Sequence, residues 1–183
     1  MSTAADSGTL RIARLGPADL VAFKALRDEG LRLHPEAFDA DLDNEAARPP
    51  ESYVGRLGLS EAKGGTFLMG AWAGPHMVGM IGLERQFLPK LRHSAELNSM
   101  LVRPHNAGRG IGLALMLECL AEARKANGLE LITLRVSADN ASAIRLYEKA
   151  GFKACGTVPR AAKLVDAQGR ARYIDRLTMA LVL

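Results

Sequence analysis

Cysteine is scarce in this chain, which has only Cys119 and Cys155 among its 183 residues. Two cysteines are too few for a disulfide framework or a cysteine-ligated zinc site, so both are expected to be reduced packing residues. Histidine is nearly as rare, and the four are His34, His76, His93 and His105. None of them stands at a ligand spacing such as H-x-x-x-H, and we expect no metal.

Long apolar runs are also absent. No stretch approaches the roughly 18 apolar residues of a membrane span, and residues 1–8 lack the basic start and apolar run of a secretory leader. We therefore expect a cytoplasmic protein without a membrane partner. Basic residues near the C-terminus are Arg160, Lys163, Arg170, Arg172 and Arg176. They lack interleaved aromatic residues, so nucleic acid is not an expected partner either.

The balance of residue types is that of an ordinary globular protein, with 48% apolar and 24% charged residues. The length suits one domain, which we take to span residues 1–183. The formal net charge of +4 favours anionic ligands such as phosphates, although it lies within the ordinary range for a soluble surface.

Apolar periodicity predicts an alternation of strands and helices. Strands are expected at 9–15, 66–73, 77–83, 95–102, 131–136, 152–158 and 173–183, with another before the turn at 166–169. Helices are expected from Pro17, from Pro49 or Pro50 through Leu57, from residue 110 to about Asn127, and at 140–150. Predicted core positions include Leu10, Ile12, Leu15, Leu113, Met116, Leu117 and Leu120. This order predicts a mixed sheet flanked by helices.

Residues 106–114 read N-A-G-R-G-I-G-L-A and stand between a predicted strand and a predicted helix. Unpaired backbone N–H groups at the positive end of a helix dipole form an anion site, and Gly108, Gly110 and Gly112 let a ligand approach the backbone. A P-loop is excluded, because no Gly-Lys-Ser or Gly-Lys-Thr exists in the chain. A dinucleotide fingerprint is weak, because Leu113 or Leu115 stands where its third glycine belongs. Glycines that merely allow tight strand–helix packing remain an alternative.

Two longer segments bear on the choice between these interpretations of the glycines. M-L-V-R-P-H-N-A-G-R-G-I-G-L-A-L-M at 100–116 and N-A-S-A-I-R-L-Y-E-K-A-G-F at 140–152 together resemble the GCN5-related N-acetyltransferase (GNAT) superfamily. The resemblance covers roughly residues 78–158. It implies an α/β (α+β) fold with a mixed, mostly antiparallel central sheet of six to seven strands, flanked by helices and with splayed central strands. One departure is Ala107, where the family has Gln or Arg.

The resemblance also implies an activity and a cofactor site. Acetyl-CoA would be the co-substrate, and its acetyl group would pass to a primary amine on a small molecule or a peptide. Backbone amides of Gly108, Arg109, Gly110, Ile111, Gly112 and Leu113 would hold the pyrophosphate. The backbone of Met100, Leu101 and Val102 would pair with the pantetheine arm, and an N–H near Leu101 or Val102 would polarise the thioester. Asn140, a predicted helix cap, would also contact the cofactor.

Tyr147 and Glu96 are the predicted catalytic residues. By the same resemblance, Tyr147 would donate a hydrogen bond to the departing sulfur of CoA. Full proton transfer from an ordinary phenol to a thiolate is uphill by roughly 2 kcal/mol, which favours stabilisation of developing charge. Glu96 stands where the histone-acetylating branch has its general base. On a regular strand, Glu96, Asn98, Met100 and Val102 share one face, so Asn98 would order a water beside the substrate.

The acceptor side is predicted less sharply. Closing strands often line the acceptor in this superfamily, which makes Tyr173 and Asp175 candidate acceptor-binding residues. The acidic segment 39–45 is expected to attract a cationic acceptor. The identity of the amine and the possibility of a homodimer stay open. An alternative function is a catalytically idle CoA-binding or sensing module, which Ala107 favours.

Overall fold

The computed structural model describes residues 10–183, so Thr9 of the first predicted strand and residues 1–8 lie outside the described part. The strands are β1 (Leu10–Arg14), β2 (Phe67–Ala73), β3 (His76–Arg85), β4 (Ser94–Val102), β5 (Leu131–Ser137), β6 (Lys153–Val165) and β7 (Ala171–Val182). They form a seven-stranded sheet in the order β1-β2-β3-β4-β5-β7-β6. Among the strands of residues 10–183, only β4 and β5 pair in parallel. The predicted mixed, mostly antiparallel sheet is confirmed.

Four α-helices lie in the described residues: α1 (Leu20–Leu33), α2 (Leu42–Ala46), α3 (Ile111–Ala123) and α4 (Ala141–Lys149). The predicted helix near Pro49 is instead a 3-10 helix, Pro50–Leu57, with its proline in the first turn where no N–H partner is needed. The two strands predicted between Phe152 and the turn at 166–169 are one long strand, β6. It forms a hairpin with β7.

The sheet separates two apolar clusters. One packs against α3 and includes Leu97, Leu115, Met116, Ile132 and Met179. The other packs against α1 and the 3-10 helix, and it includes Phe23, Leu26, Tyr53, Leu68 and Met80. Burial on both faces explains why the central strands read as nearly continuous apolar runs.

Three predicted packing residues are wrong. Leu117 is 51% exposed, because Leu115, Met116, Cys119 and Leu120 form the face of α3 that meets the sheet and Leu117 lies on the opposite side. Leu10 is 39% exposed at the start of the edge strand β1. Cys155 is exposed on β6, the other edge strand. Edge strands have neighbours on one side only, so their apolar residues are less covered.

The parallel pair β4–β5 opens towards its carboxyl ends. Pairing runs from Ser94 opposite Leu131 to Leu97 opposite Leu134, and then stops. Both strands continue, β4 to Val102 and β5 to Ser137, without pairing to each other. The predicted splay of the central strands is therefore present, and one edge of the last part of β4 has no strand beside it.

A β-bulge interrupts β4 at the point of splay. Asn98 lies opposite Gly82 and Leu101 opposite Met80, so β4 has one residue more than β3 in this stretch. Ser99 adopts a left-handed backbone with φ of 54°, typical of a bulge. Met100 and Val102 consequently pack against the α3 cluster, on the face that Leu97 occupies, whereas Glu96 and Asn98 lie on the opposite face. The prediction that Glu96, Asn98, Met100 and Val102 share one face is wrong.

Within residues 10–183, no helix is long and apolar enough to cross a membrane.

Candidate active site

A cleft of about 1020 Å³ opens where β4 and β5 separate. Its walls come from the loop after α1, the second half of β4, the loop before α3, the end of β5 and the first turns of α4. Most of the predicted site residues line it: Glu96, Asn98, Met100, Leu101, Val102, Gly108, Gly110, Ile111, Gly112, Leu113, Asn140 and Tyr147. Arg109, in the same loop as Gly108 and Gly110, is exposed and does not line the cleft. Tertiary structure thus brings both sequence motifs to one opening.

The loop before α3 presents free backbone donors. Within residues 10–183, none of the N–H groups of 108–113 donates a hydrogen bond to another protein group. Gly108 and Gly110 have φ of 74° and 79°, and nothing lies within 4 Å of where their Cβ atoms would be. Glycine is therefore required there by backbone conformation, and the space beside both residues is open. Free N–H groups at the start of α3 give this loop the donors and the dipole that an anion site needs.

Gly112 has a different role. A Cβ atom at this position would lie 2.8 Å from Leu146 Cδ1 and 3.3 Å from Met100 Cε. Gly112 therefore allows α3 to pack closely against α4 and β4, which is the packing alternative considered from the sequence. The glycine motif combines both explanations, each at different residues.

Tyr147 lies on α4 with its ring almost fully covered, packed edge-on against Phe152 at 6.1 Å between ring centroids. Burial raises the pKa of Tyr147 to about 12. In the part of the chain that the structure describes, its hydroxyl has no protein hydrogen-bond partner and is not sealed from solvent. Tyr147 is thus a neutral donor that faces the cleft.

Asn140 is the N-cap of α4, as its position predicted. Its Oδ1 accepts from the Ala143 N–H at 3.1 Å and from Ser142 Oγ at 2.9 Å. The cap satisfies a helix N–H that would otherwise lack a partner, and so it fixes where α4 begins. This in turn sets the position of Tyr147 in the cleft.

Glu96 lies at the edge of the cleft with its side chain 32% exposed. Its Oε1 accepts from Arg135 Nε at 3.1 Å, and Arg135 Nη2 also pairs with Asp39 Oδ2 at 3.1 Å. Burial opposes the charge of Arg135, but Glu96 and Asp39 together raise the pKa of Arg135. Glu96 is therefore a paired carboxylate, with the ion pair linking β4 to β5.

Two of the four carboxylates in the acidic segment 39–45, those of Asp39 and Glu45, pair with arginines. Asp39 pairs with Arg135 and, at 3.1 Å, with Arg176. Glu45 accepts from Arg27 Nε at 2.6 Å, Tyr53 Oη at 2.6 Å and Arg48 Nη1 at 3.0 Å. Burial alone would raise the pKa of Glu45, but these hydrogen bonds and the Arg27 charge lower it to about 2. The expectation that this segment attracts a cation is not supported by these pairings.

Sequence reasoning missed the arginines on this wall of the cleft. Arg27 comes from α1, Arg48 follows α2, and Arg56 comes from the 3-10 helix. They line the cleft together. No spacing in the chain connects them, because they meet only when three separate elements pack over the sheet.

Tyr173 and Asp175 lie away from this cleft. They line a smaller cavity of about 430 Å³ with Ala138 and Asp139. Asp175 Oδ1 accepts from the Arg160 N–H at 2.7 Å, and the Arg160 guanidinium lies 3.8 Å from the Tyr173 ring centroid. These contacts stabilise the β6–β7 hairpin, and an acceptor-binding role for the two residues remains a prediction without geometric support. In residues 10–183, no group of three His, Cys, Asp or Glu is arranged to hold a metal ion.

Comparison with known proteins identifies the family. Residues 24–152, more than two thirds of the chain, match the profile of the Acetyltransferase (GNAT) family. The chain belongs to the GNAT family. The GNAT match includes the glycine loop, Asn140 and Tyr147, which are the features that line the cleft.

Curated relatives are acetyltransferases that carry different names. Mycothiol acetyltransferase from Salinispora tropica is 30% identical over 147 residues, which cover 80% of this chain and 45% of that protein. L-methionine sulfoximine/L-methionine sulfone acetyltransferase from Pseudomonas aeruginosa is 31% identical over 84 residues, 46% of this chain and 45% of that protein. The matched part is thus less than half of each relative.

Solved structures support the GNAT fold. A GNAT acetyltransferase from Streptococcus pneumoniae superimposes with a TM-score of 0.80 at 20% identity, covering 95% of this chain and 99% of the other. An acetyltransferase from Salmonella typhimurium, solved with its cofactor acetyl-CoA, superimposes with a TM-score of 0.79 at 20% identity, covering 96% and 95%. These likenesses confirm the predicted fold class.

Proposed function

We propose that this protein transfers an acetyl group from acetyl-CoA to a primary amine, by direct attack of the amine on the thioester in a ternary complex. The observation that carries the proposal is the shared cleft. It brings together free N–H groups at the start of α3, the unpaired edge of β4 and the hydroxyl side of Tyr147.

The loop of residues 108–113 fits the pyrophosphate of CoA. A phosphate accepts several backbone N–H groups at once, and the dipole of the 13-residue helix α3 favours its negative charge. The open space beside Gly108 and Gly110 allows the oxygens to approach. Because Ala107 has no polar side chain, binding of the pyrophosphate depends on these backbone groups.

The open edge of β4 fits the pantetheine arm and the thioester. Amide groups of the arm would pair with Met100, Leu101 and Val102 as an added strand does. The N–H of Arg103 donates to Val78 O at 2.8 Å, towards β3. Because N–H groups alternate in direction along a strand, that of Val102 points to the open edge. We assign it as the donor that polarises the thioester carbonyl.

In the reaction, the amine nitrogen bonds to the carbonyl carbon, the carbon–sulfur bond breaks, and the sulfur leaves as a thiolate that Tyr147 stabilises. With a phenol pKa of about 12, full proton transfer from Tyr147 to a thiolate of pKa about 8.5 would be uphill by roughly 5 kcal/mol. Tyr147 therefore acts by hydrogen bonding to the sulfur. The proton that the thiolate finally takes comes from the amine.

The amine must lose a proton before it attacks. Deprotonating an amine of pKa about 10.4 at neutral pH costs roughly 4 to 5 kcal/mol. Glu96 is the proposed base, working through a water that Asn98 orders, since both residues line the cleft on the same face of β4. The ion pair with Arg135 holds the Glu96 carboxylate in place.

A matched pair of glycine variants tests the cofactor site. Gly110→Glu puts a carboxylate into the proposed phosphate loop. Gly169→Glu is the control, because Gly169 has φ of 78° against 79° at Gly110, and both have open space around them. The two variants therefore carry similar backbone strain, of about 1 to 2 kcal/mol. Calorimetric titration with acetyl-CoA is expected to show binding to the parent and to Gly169→Glu, and no binding to Gly110→Glu.

Three other results would lead to different conclusions. Equal binding by both variants would refute the assigned loop. Absence of binding to the parent would mean that only the fold of the family is retained. Acetyl-CoA binding without thioester cleavage by any amine would instead favour the idle CoA-binding or sensing module.

A further inference from the structure

A row of hydrogen-bonded polar side chains lines the cleft on the α1 side of the sheet, beside the bulge in β4. Arg56 donates through Nη2 to Asn98 Oδ1 and, at 3.1 Å, to Ser99 Oγ. Asn98 donates through Nδ2 towards Glu84 Oε2 at 3.5 Å. The row runs from a guanidinium through an amide to a carboxylate, so it has a positive end and a negative end.

Arg56 has unused donor capacity at the positive end. Among the described residues, its Nε and Nη1 groups donate to no protein acceptor, and neither is a buried atom cut off from solvent. Burial and the charge of Arg27 lower the pKa of Arg56, while the charge of Glu84 opposes that effect. A largely buried cation without a contacting carboxylate is costly, and a bound anion offsets that cost.

The neighbouring arginines add to the positive end. Arg27 Nη1 also donates to Ser99 Oγ, at 3.2 Å, so two guanidinium groups meet at one hydroxyl. Glu45 is the carboxylate partner of both Arg27 and Arg48. One carboxylate therefore serves Arg27 and Arg48, and Arg56 contacts no carboxylate from residues 10–183, which leaves surplus positive charge on this wall.

Gly82 allows the row of polar side chains to lie close to the sheet. A Cβ atom there would lie 2.6 Å from Asn98 Oδ1 and 3.0 Å from Arg56 Nη2. The absence of a side chain thus lets the guanidinium reach the strand next to Ser99. Ser99 directly precedes Met100, where the proposed thioester site begins.

We infer that the acceptor is a zwitterionic, amino-acid-like amine whose carboxylate binds Arg56 and whose amino group lies towards Glu84. The inference rests on the proposed function, since it names the acceptor of the same cleft. In such a molecule one carbon joins the two groups, so a carboxylate held at Arg56 keeps the amine beside the β4 bulge and the thioester. The arginines repel a polyamine, and an internal peptide amine has no carboxylate for Arg56.

The test compares matched amines with the intact protein and acetyl-CoA, following the release of CoA thiol. The probes are common L-amino acids, their carboxamides, the corresponding decarboxylated amines, and spermidine. Removing a charged hydrogen-bond partner costs about 10- to 100-fold in kcat/KM, so a carboxylate acceptor is expected to exceed its carboxamide by that factor. Equal or better turnover of carboxamides, decarboxylated amines or spermidine would overturn the inference, while the proposed function would stand.

Variants assign the preference to Arg56. Arg56→Met is expected to raise the KM for the carboxylate acceptor by about 10- to 100-fold, to bring the carboxylate-to-carboxamide ratio near one, and to leave the KM for acetyl-CoA unchanged. Arg32→Met is the matched control, because Arg32 is exposed on the last turn of α1 and does not line the cleft. An equal loss with carboxylate and carboxamide would overturn the inference.

Two further readouts keep the test decisive. If Arg56→Met does not fold, Glu84→Gln at an exposed position is expected to raise the KM of the same acceptor, and an unchanged KM would count against the inference. Acetyl-CoA binding with no reaction of any carboxylate-bearing amine would also contradict it. Failure to bind acetyl-CoA would refute the proposed function itself, and the inference with it.

Discussion

Replacing Tyr147 by Phe removes one hydroxyl and leaves the ring in place. The ring keeps its edge-on contact with Phe152, and among the described residues the hydroxyl has no protein partner that would be left unsatisfied. We therefore expect the free energy of unfolding at neutral pH to change by less than about 1 kcal/mol, because no protein hydrogen bond is lost. The variant isolates the chemistry of one oxygen atom.

The expected loss of activity follows from the pKa of Tyr147. At about 12, the phenol stays protonated throughout the working pH range, and full transfer to sulfur is about 5 kcal/mol uphill. The proposed role of the hydroxyl is a hydrogen bond to the forming thiolate, and such bonds to charged groups contribute about 1.5 to 3 kcal/mol. This range corresponds to a fall in kcat of about 10- to 150-fold.

The assay measures CoA release at saturating amine, with acetyl-CoA affinity taken from calorimetry. We expect kcat to fall while the Kd for acetyl-CoA changes less than about twofold, because the bond forms only as the sulfur leaves. The parent is also expected to show no loss of activity near pH 10 from tyrosine ionisation, since burial moves that ionisation to about pH 12. Equal kcat in the two proteins, or weaker binding with unchanged kcat, would refute the role of Tyr147.

Two more substitutions test Glu96, the proposed base, and Glu45, the carboxylate that pairs with Arg27 and Arg48. Glu96→Gln is expected to lower kcat at pH 7 by about 100-fold, the common effect of losing a general base. The loss should become smaller as the pH approaches the pKa of the amine. A pH–rate profile that matches that of the parent would exclude Glu96 as the base. Glu45→Gln leaves Arg27 and Arg48 without their carboxylate and is expected to destabilise the fold at pH 7 by about 3 kcal/mol. The folded-state pKa of about 2 lies below the usual 4.5, so Glu45 stabilises the fold above pH 4.5 and this contribution is lost as the pH falls towards 2. Denaturant unfolding of both proteins at pH 7 and pH 3 should show the difference shrinking in acid, and a constant difference would contradict the ion-pair explanation.

Local chemistry made part of the site predictable. Gly108 and Gly110 sit at left-handed φ, and Asn140 caps α4 through the Ala143 N–H. Both depend on residues within a few positions of one another, so sequence patterns carry them. The bulge in β4 was not predictable, because Ser99 has no side-chain feature that demands a φ of 54°. One extra residue reversed the faces of Met100 and Val102 relative to Glu96.

The sequence by itself determined most of the order of strands and helices, the glycine conformations before α3 and the cap of α4, because periodicity, caps and glycine conformations act over short distances along the chain. Only the tertiary structure decided the positive charge on the wall of the cleft that carries Arg27, Arg48 and Arg56. An acidic run at 39–45 predicted attraction of cations, yet Arg27 and Ser99, 72 positions apart, meet in the fold beside Arg56. Coulomb interactions depend on distance through space, and that distance was set by the packing of α1 and the 3-10 helix over the sheet.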